Sequence, residues 1–170
     1  MMEYIEHTLS PIYNENSKIL ILGTMPSPKS REYGFYYSHP QNRFWRIVSD
    51  LYASPLPVTN EEKTDLLLKN GNALWDVLKS CRIEGADDAS IHDPIPNDIA
   101  GLLNRTNIRT VFTTGTKAFA LYRRFFLTTT GVTAIALPST SPANCRHYDY
   151  ARLKEAYEII LQYTVYHKDV

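Results

Sequence analysis

The residues from Gly23 to Ser30 read G-T-M-P-S-P-K-S. That is one residue away from a phosphate-cradling loop of the form G-x-x-x-x-G-K-[ST]. Such a loop aims successive backbone N–H groups at phosphates and needs glycine beside the lysine. Here Pro28 stands in place of the second glycine and Pro26 removes another donor, because proline has no N–H and a fixed φ. A phosphate loop should also open directly onto a helix, yet the following R-E-Y-G-F-Y-Y has poor helical character. The dinucleotide pattern G-x-G-x-x-G is absent as well. The loop is therefore expected to serve some chemistry other than nucleotide phosphate binding.

Other constellations carry less. The histidines are His7, His39, His92, His147 and His167, and none falls into H-x-x-x-H or H-E-x-x-H spacing. The two cysteines, Cys81 and Cys145, form no C-x-x-C pair, so no metal site is expected. His7 and His167 are read as ordinary surface or hydrogen-bonding side chains. Ser139, His147 and Asp149 could be drawn as a triad, but the G-x-S-x-G elbow is missing. The aromatic segment Tyr33, Phe35, Tyr36 and Tyr37 says more. Its rings are nearly contiguous, whereas core packing would space them by 2 or 3.6 residues. Lys29, Arg31, Arg43 and Arg46 flank them. An exposed ring among such cations suits stacking on a flat π-system near phosphates; the alternative is a loop packed on its own domain.

These side chains need a scaffold. Ile19–Leu22 is a short apolar run ahead of Gly and Pro, and it reads as a buried strand. Phe44, Ile47, Val48 and Leu51 form one apolar stripe of a helix over Asn42 to Ala53. A second helix is expected from Glu61 to Lys69, ended by Asn70–Gly71. Asn72 to Leu78 is open between strand and helix, and Arg82 to Ser90 reads as a polar loop. Asp98 could cap a short helix from Ile99 to Leu103. Val111–Thr113 reads as a strand, and Thr116 as the cap of a helix from Lys117 to Phe126. Thr133 to Leu137 is another strand, and Tyr150 to Tyr163 a final helix. Strands alternating with helices imply a parallel sheet covered on both faces. Ligands bind such sheets at the carboxyl ends of the strands. The loops Gly23–Asn42 and Ser139–Tyr148 should therefore face each other across one cleft.

The chain of 170 residues, 44% hydrophobic and 21% charged, suits one domain spanning 1–170 with a real core. Its 18 basic and 18 acidic side chains cancel, which argues against a protein that coats nucleic acid through bulk charge but allows a local basic face. The acidic N-terminus has no apolar core of a secretory signal, and no run has the length of a membrane span. A soluble, reduced, cytoplasmic protein is expected.

Two stretches together are recognisable. G-T-M-P-S-P-K-S-R-E-Y-G-F-Y-Y-S-H-P-Q-N-R-F-W-R-I-V and L-P-S-T-S-P-A-N-C-R-H-Y-D closely resemble motifs of the uracil-DNA glycosylase superfamily, most nearly its hypoxanthine-DNA (deoxyinosine) glycosylase branch. H-P-x-N-R-F-W is shared with the mismatch-specific uracil/thymine glycosylases too. The likeness runs from about Ile19 to Tyr163 and includes D-A-S-I-H-D-P-I-P-N-D-I-A-G-L-L.

The resemblance implies a three-layer α/β/α fold around a central, mainly parallel four-stranded sheet. It implies a monofunctional enzyme that flips a deaminated base out of DNA and hydrolyses its N-glycosidic bond, leaving an abasic site. Hypoxanthine is the first choice and uracil a second. Gly23, Thr24, Met25, Pro26 and Ser27, with Tyr37 and His39, would form the base pocket, and Tyr37 would stack on the extruded base. The mismatch-specific relatives place a water-positioning Asn where Met25 stands. A thioether cannot replace it, so uracil excision is not favoured. The Asn of H-P-Q-N, Asn42, becomes the catalytic candidate. Ser139, Thr140, Ser141, Pro142, Ala143 and Asn144, with Arg146, would contact the phosphates and the flipped nucleotide from the minor groove. No metal and no cofactor are implied. The partner is damaged DNA, double- or single-stranded, the protein a monomer that joins the nucleoid when bound, and no membrane is involved. Met25 keeps a non-catalytic lesion-binding module on the same fold as the alternative, and a hydrolase of small nucleotides as a weaker third reading.

Overall fold

The computed structural model of the protein describes residues 1–165; His167 lies outside the described residues. The central sheet has four parallel strands in the order β3-β2-β6-β7. They are β2 (Ile19–Gly23), β3 (Asn72–Asp76), β6 (Thr110–Thr114) and β7 (Ala134–Leu137). Every residue of β2 and β3 is buried, as an apolar run in a sheet covered on both faces requires. Each of Ile19 to Leu22 is fully buried, worth about 1.5–3 kcal/mol apiece against exposure. The outer edge of β3 is shielded by Ile12, which exchanges backbone hydrogen bonds with Leu74 at 2.9 Å in both directions.

Helices cover the sheet. They are α1 (Pro28–Tyr33), α2 (Phe44–Leu51), α3 (Asn60–Lys69), α4 (Ile99–Asn104), α5 (Thr116–Thr130), α6 (Tyr150–Tyr157) and α7 (Ile160–Thr164). α5 packs on β6 and β7 and against α4, whereas α3 packs on β3 and α2 lies against α3 and α6. This is the three-layer α/β/α arrangement expected.

The segment expected as a polar loop between Arg82 and Ser90 is instead a hairpin. β4 (Leu78–Glu84) and β5 (Asp87–Pro96) pair antiparallel, and β1 (Glu3–Glu6) joins β4 to complete a second, three-stranded sheet. β4 alternates buried and exposed residues except at Ser80–Cys81, its pairing with β5 carries three register shifts, and its outward residues are polar enough to read as loop. Asn97 staples the two sheets together: its Nδ2 donates to the carbonyls of Asp76 and Leu78, both at 3.0 Å. The ambiguous stretch Asn72–Leu78 resolves as strand.

Three helix boundaries also differ from expectation. Gly115, with φ 89, caps α5 instead of Thr116; only glycine takes that conformation cheaply. R-E-Y does belong to a helix, the short α1, which Ser27 caps by accepting the Ser30 N–H at 3.2 Å. The final helix is two pieces, because the chain tightens at Glu158 and Ile159 into hydrogen bonds three residues apart (Leu161 N–H to Glu158 O, Gln162 N–H to Ile159 O). Asp98 caps α4 as expected, accepting the Gly101 N–H at 2.9 Å.

Candidate active site

All four parallel strands end at one cavity of about 420 Å³. Gly23 closes β2, Asp76 closes β3, Thr114 closes β6, and Ser139 follows β7 by two residues. The loop after β2 supplies Thr24, Met25, Pro26, Ser27, Tyr37, His39 and Asn42 to the lining, and the loop after β7 supplies Ser139, Thr140, Ser141, Pro142 and Ala143. The two loops singled out from sequence thus share one cleft.

Asn42 sits two residues before α2, and its Oδ1 accepts the Phe44 N–H at 2.9 Å. Its amide carbonyl keeps a second lone pair and Nδ2 keeps both of its donors; Nδ2 makes no hydrogen bond among the described residues. His39 shapes the approach: its Nδ1 accepts the Gln41 N–H at 3.1 Å and its carbonyl the Asn42 N–H at 2.9 Å.

Tyr37 has φ 52, a left-handed conformation that a bulky residue seldom adopts. It lays the ring on Phe44 with centroids 4.1 Å apart and planes 19° off parallel. The hydroxyl meets Thr114 Oγ1 at 3.2 Å. Burial first, then the Asp76 charge, push the Tyr37 phenol well above its ordinary pKa, so it is a neutral O–H. The aromatic segment as a whole is less exposed than its contiguity suggests. Tyr36 is buried and donates to the Ser10 carbonyl at 2.8 Å, and Phe35 stacks with Trp45 at 5.9 Å. Of the four, Tyr33 alone is an exposed ring, with the Lys29 ammonium 5.8 Å from its centroid.

Two cations expected near phosphates are used internally. Arg31 donates to the Pro26 carbonyl at 2.9 Å and closes the first loop. Arg43 turns its guanidinium to the carbonyls of Tyr148 and Ser141, and its own N–H donates to the Thr140 carbonyl at 3.2 Å. The second loop is braced further by Asn144, whose Nδ2 donates to the Ser139 carbonyl at 3.0 Å. Asn144 and Arg146 do not line the cavity, and Arg146 is exposed beside it in sequence.

Sequence reasoning missed the cavity floor. Asp76 is a buried carboxylate that lines the cavity, and His7 Nε2 lies 2.8 Å from its Oδ2. Tyr36, Thr114 and the β4–β5 hairpin, through Ile83, Gly85, Ala86 and Asp88, also contribute wall. One signal was available: A-L-W-D ends an apolar run in a carboxylate just where I-L-I-L-G ends in glycine, and the two strands run in register with Gly23 opposite Asp76.

Residues 10–163 match the family described as the Uracil DNA glycosylase superfamily. The chain belongs to the uracil DNA glycosylase superfamily. Within that superfamily, it is 36% identical over 144 residues to a hypoxanthine DNA glycosylase of Methanosarcina acetivorans, covering 84% of this chain and 90% of the relative. It is 34% identical over 110 residues to a hypoxanthine DNA glycosylase of Methanosarcina barkeri, covering 64% and 70%. The solution NMR structure of a candidate uracil DNA glycosylase from Methanosarcina acetivorans superposes with a TM-score of 0.79 at 33% identity, covering 95% of this chain and 98% of that one. In this superfamily member, Met25 is a half-buried thioether on the cavity wall, and Asn42 lines the same cavity.

Proposed function

We propose that the chain is a monofunctional DNA glycosylase that extrudes a deaminated base, hypoxanthine first, and hydrolyses its N-glycosidic bond. The observation that carries this reading is the cavity at the strand ends, walled by both motif loops and lined by Asn42, whose Nδ2 makes no hydrogen bond among the described residues. A target base is inaccessible in the duplex, and an extruded one needs a snug pocket with a stacking face and convergent polar groups. Tyr37, backed by Phe44, offers the ring; the face away from Phe44 takes the base.

The chemistry needs little else. As the bond between C1′ and the base breaks, positive charge grows on the sugar and negative charge on the base. The Asn42 amide positions a water for C1′, with Nδ2 donating and the spare Oδ1 lone pair accepting. The water oxygen bonds to C1′, one of its protons goes to solvent, and the base leaves with the bonding pair and is protonated. The DNA phosphates supply negative charge beside the oxocarbenium-like sugar. This reading assigns no lysine as an amine nucleophile, Lys29 at the cavity being paired with Glu32 at 3.2 Å, so the product is an abasic site. Ser139–Asn144, stiffened by Pro142, touch phosphate and the flipped nucleotide, with Arg146 on the backbone outside the cavity. The protein works as a monomer on double- or single-stranded DNA, in the cytoplasm and on the nucleoid. No described helix is long and apolar enough to cross a membrane.

Met25 favours one second reading, a module that binds the lesion without cleaving it. A panel of oligonucleotides carrying hypoxanthine, xanthine or uracil, single- and double-stranded, separates the two. Alkali-labile abasic sites, strongest with hypoxanthine, support the glycosylase; lesion-selective binding with no abasic product supports the module.

A further inference from the structure

The departing base needs a proton, and Asp88 is a cavity carboxyl that the mechanism above does not use. It sits in β5 just past the Gly85–Ala86 turn, and with that turn it brings the hairpin tip to the cavity wall. Asp88 is exposed as well as cavity-lining, which places it where the cavity opens. No ion pair among the described residues includes it. The groups that act on it come from several elements: Lys117 of α5, Thr24 of the loop after β2, Asp76 of β3 and Asp87 of its own strand. The Cys81 thiol of β4 feels its charge in turn. Crowding by protein pushes the Asp88 carboxyl above its ordinary range; Lys117 and a hydrogen bond with Thr24 pull it back, and the charges of Asp76 and Asp87 add to the rise. The other titratable groups of the cavity have other tasks. Lys29 pairs with Glu32 at 3.2 Å, Asp76 faces His7 at 2.8 Å, and His39 Nδ1 accepts the Gln41 N–H at 3.1 Å. Burial makes the Tyr36 and Tyr37 phenols weaker acids than usual.

We propose that Asp88 is the general acid of the reaction, donating its proton to N7 of the departing purine. The inference rests on the glycosylase reading and names the source of the leaving group's proton. A purine leaves C1′ poorly as an anion. N7 is a basic nitrogen in the same five-membered ring as N9, so a proton there neutralises the charge that bond cleavage delivers to the base. The carboxyl proton passes to N7, the C1′–N9 bond breaks with its electron pair going to the base, and hypoxanthine departs neutral. The Asp88 carboxylate left behind takes a proton from solvent, which has received the one released by the attacking water. A general acid works best when its pKa approaches the working pH, and the crowding at the hairpin tip moves Asp88 in that direction. Its place at the opening lets solvent restore the proton after each turnover.

The test is single-turnover excision from a deoxyinosine duplex at saturating protein, from about pH 5 to 9, with the wild type, Asp88→Asn and Asp88→Glu. The wild-type rate should fall about tenfold per pH unit above the Asp88 pKa, because only the protonated carboxyl donates. Asp88→Asn should melt like the wild type, since the residue is exposed, yet excise about 10²-fold more slowly at acid pH and show no fall. Asp88→Glu, which keeps the acid, should keep a falling profile. The wild type should also release 7-deazahypoxanthine, with carbon in place of N7, at least about 10²-fold more slowly than hypoxanthine. A flat wild-type profile, or a fall kept in Asp88→Asn, overturns the proposal, the second result passing the role to His39. An Asn variant as fast as the wild type also overturns it and reduces Asp88 to a charge that repels DNA. Equal release of the 7-deaza base removes N7 as the proton's destination and overturns it too. No release of hypoxanthine by the wild type at any pH instead defeats the glycosylase reading itself.

Discussion

Asn42 Oδ1 accepts the Phe44 N–H at 2.9 Å, so the proposed catalytic amide also satisfies the first N–H of α2. The two jobs separate by substitution. Asn42→Ala should lose about 1 kcal/mol of stability and slow single-turnover excision on the order of 10²-fold, the scale for one preorganised donor. Asn42→Asp keeps the acceptor for Phe44 and removes both Nδ2 donors. It should therefore melt close to the wild type and excise as poorly as the Ala variant. Near-full activity in Asn42→Asp would reduce Asn42 to a helix cap.

Gly23 is required for space, not for backbone freedom. A Cβ at this position would stand 2.5 Å from Asp76 Oδ1, closer than real contacts allow, and a tight 3.0 Å from the Tyr37 hydroxyl. Gly23→Ala should displace two cavity groups together, costing about 1–3 kcal/mol of stability and more than tenfold in excision. Thermal melts and single-turnover rates check this, and an alanine variant that excises normally would show that the floor around Asp76 yields.

Tyr37 should matter through its ring. Tyr37→Ala is expected to weaken engagement of an extruded base by about 1–3 kcal/mol. Tyr37→Phe keeps the stack on Phe44 and gives up only the Thr114 contact, so it should cost much less. Equal losses in titrations with lesion-bearing DNA would assign the effect to the hydroxyl.

The same phenol predicts alkaline behaviour. Tyr36, Tyr37 and Tyr157 all have their pKa raised on folding, chiefly by burial. A group raised in the folded state contributes its full stability below the unfolded value, about 10 for tyrosine, and loses it as pH climbs beyond. Stability should be flat from neutral pH to about 10 and then fall. Tyr36→Phe should soften that fall, as measured by denaturant midpoints against pH; an identical alkaline limb in the variant would contradict it.

Arg43 and Arg146 should separate on salt. Arg43 spends its guanidinium on the Tyr148 and Ser141 carbonyls, so Arg43→Met should loosen the second loop, speed amide exchange over 139–148 and weaken DNA binding without changing the salt slope. Arg146 is exposed, and Arg146→Ala should lower the slope of log K against log salt by about one. The reverse pattern in binding isotherms would place Arg43 on a phosphate.

Three of the four parallel strands, β2, β6 and β7, were legible as short apolar runs, whereas β3 was left open between strand and helix, and α2 was legible because its stripe keeps a helical period. Gly23, Met25, Tyr37 and Asn42 were legible through motif chemistry. The second sheet was not, because β4 and β5 bury one face only and carry Lys79, Arg82 and Asp87 outward, which reads as loop. Asp76 and His7 were missed because they lie far apart in the chain, and only the pairing of β2 with β3 and of β1 with β4 brings them to one floor. Arg43 looked like a phosphate ligand because sequence shows a charge but not the carbonyls it turns toward.

The central claim is that this cavity cuts the bond between a deaminated purine and its sugar, and an inosine-containing duplex incubated with excess protein tests it most directly. The account predicts abasic sites at the inosine in a single-turnover burst with the wild type, about 10²-fold slower with Asn42→Ala, and no strand cleavage until alkali is added. Tight, inosine-selective binding with no abasic site formed by either protein would contradict it.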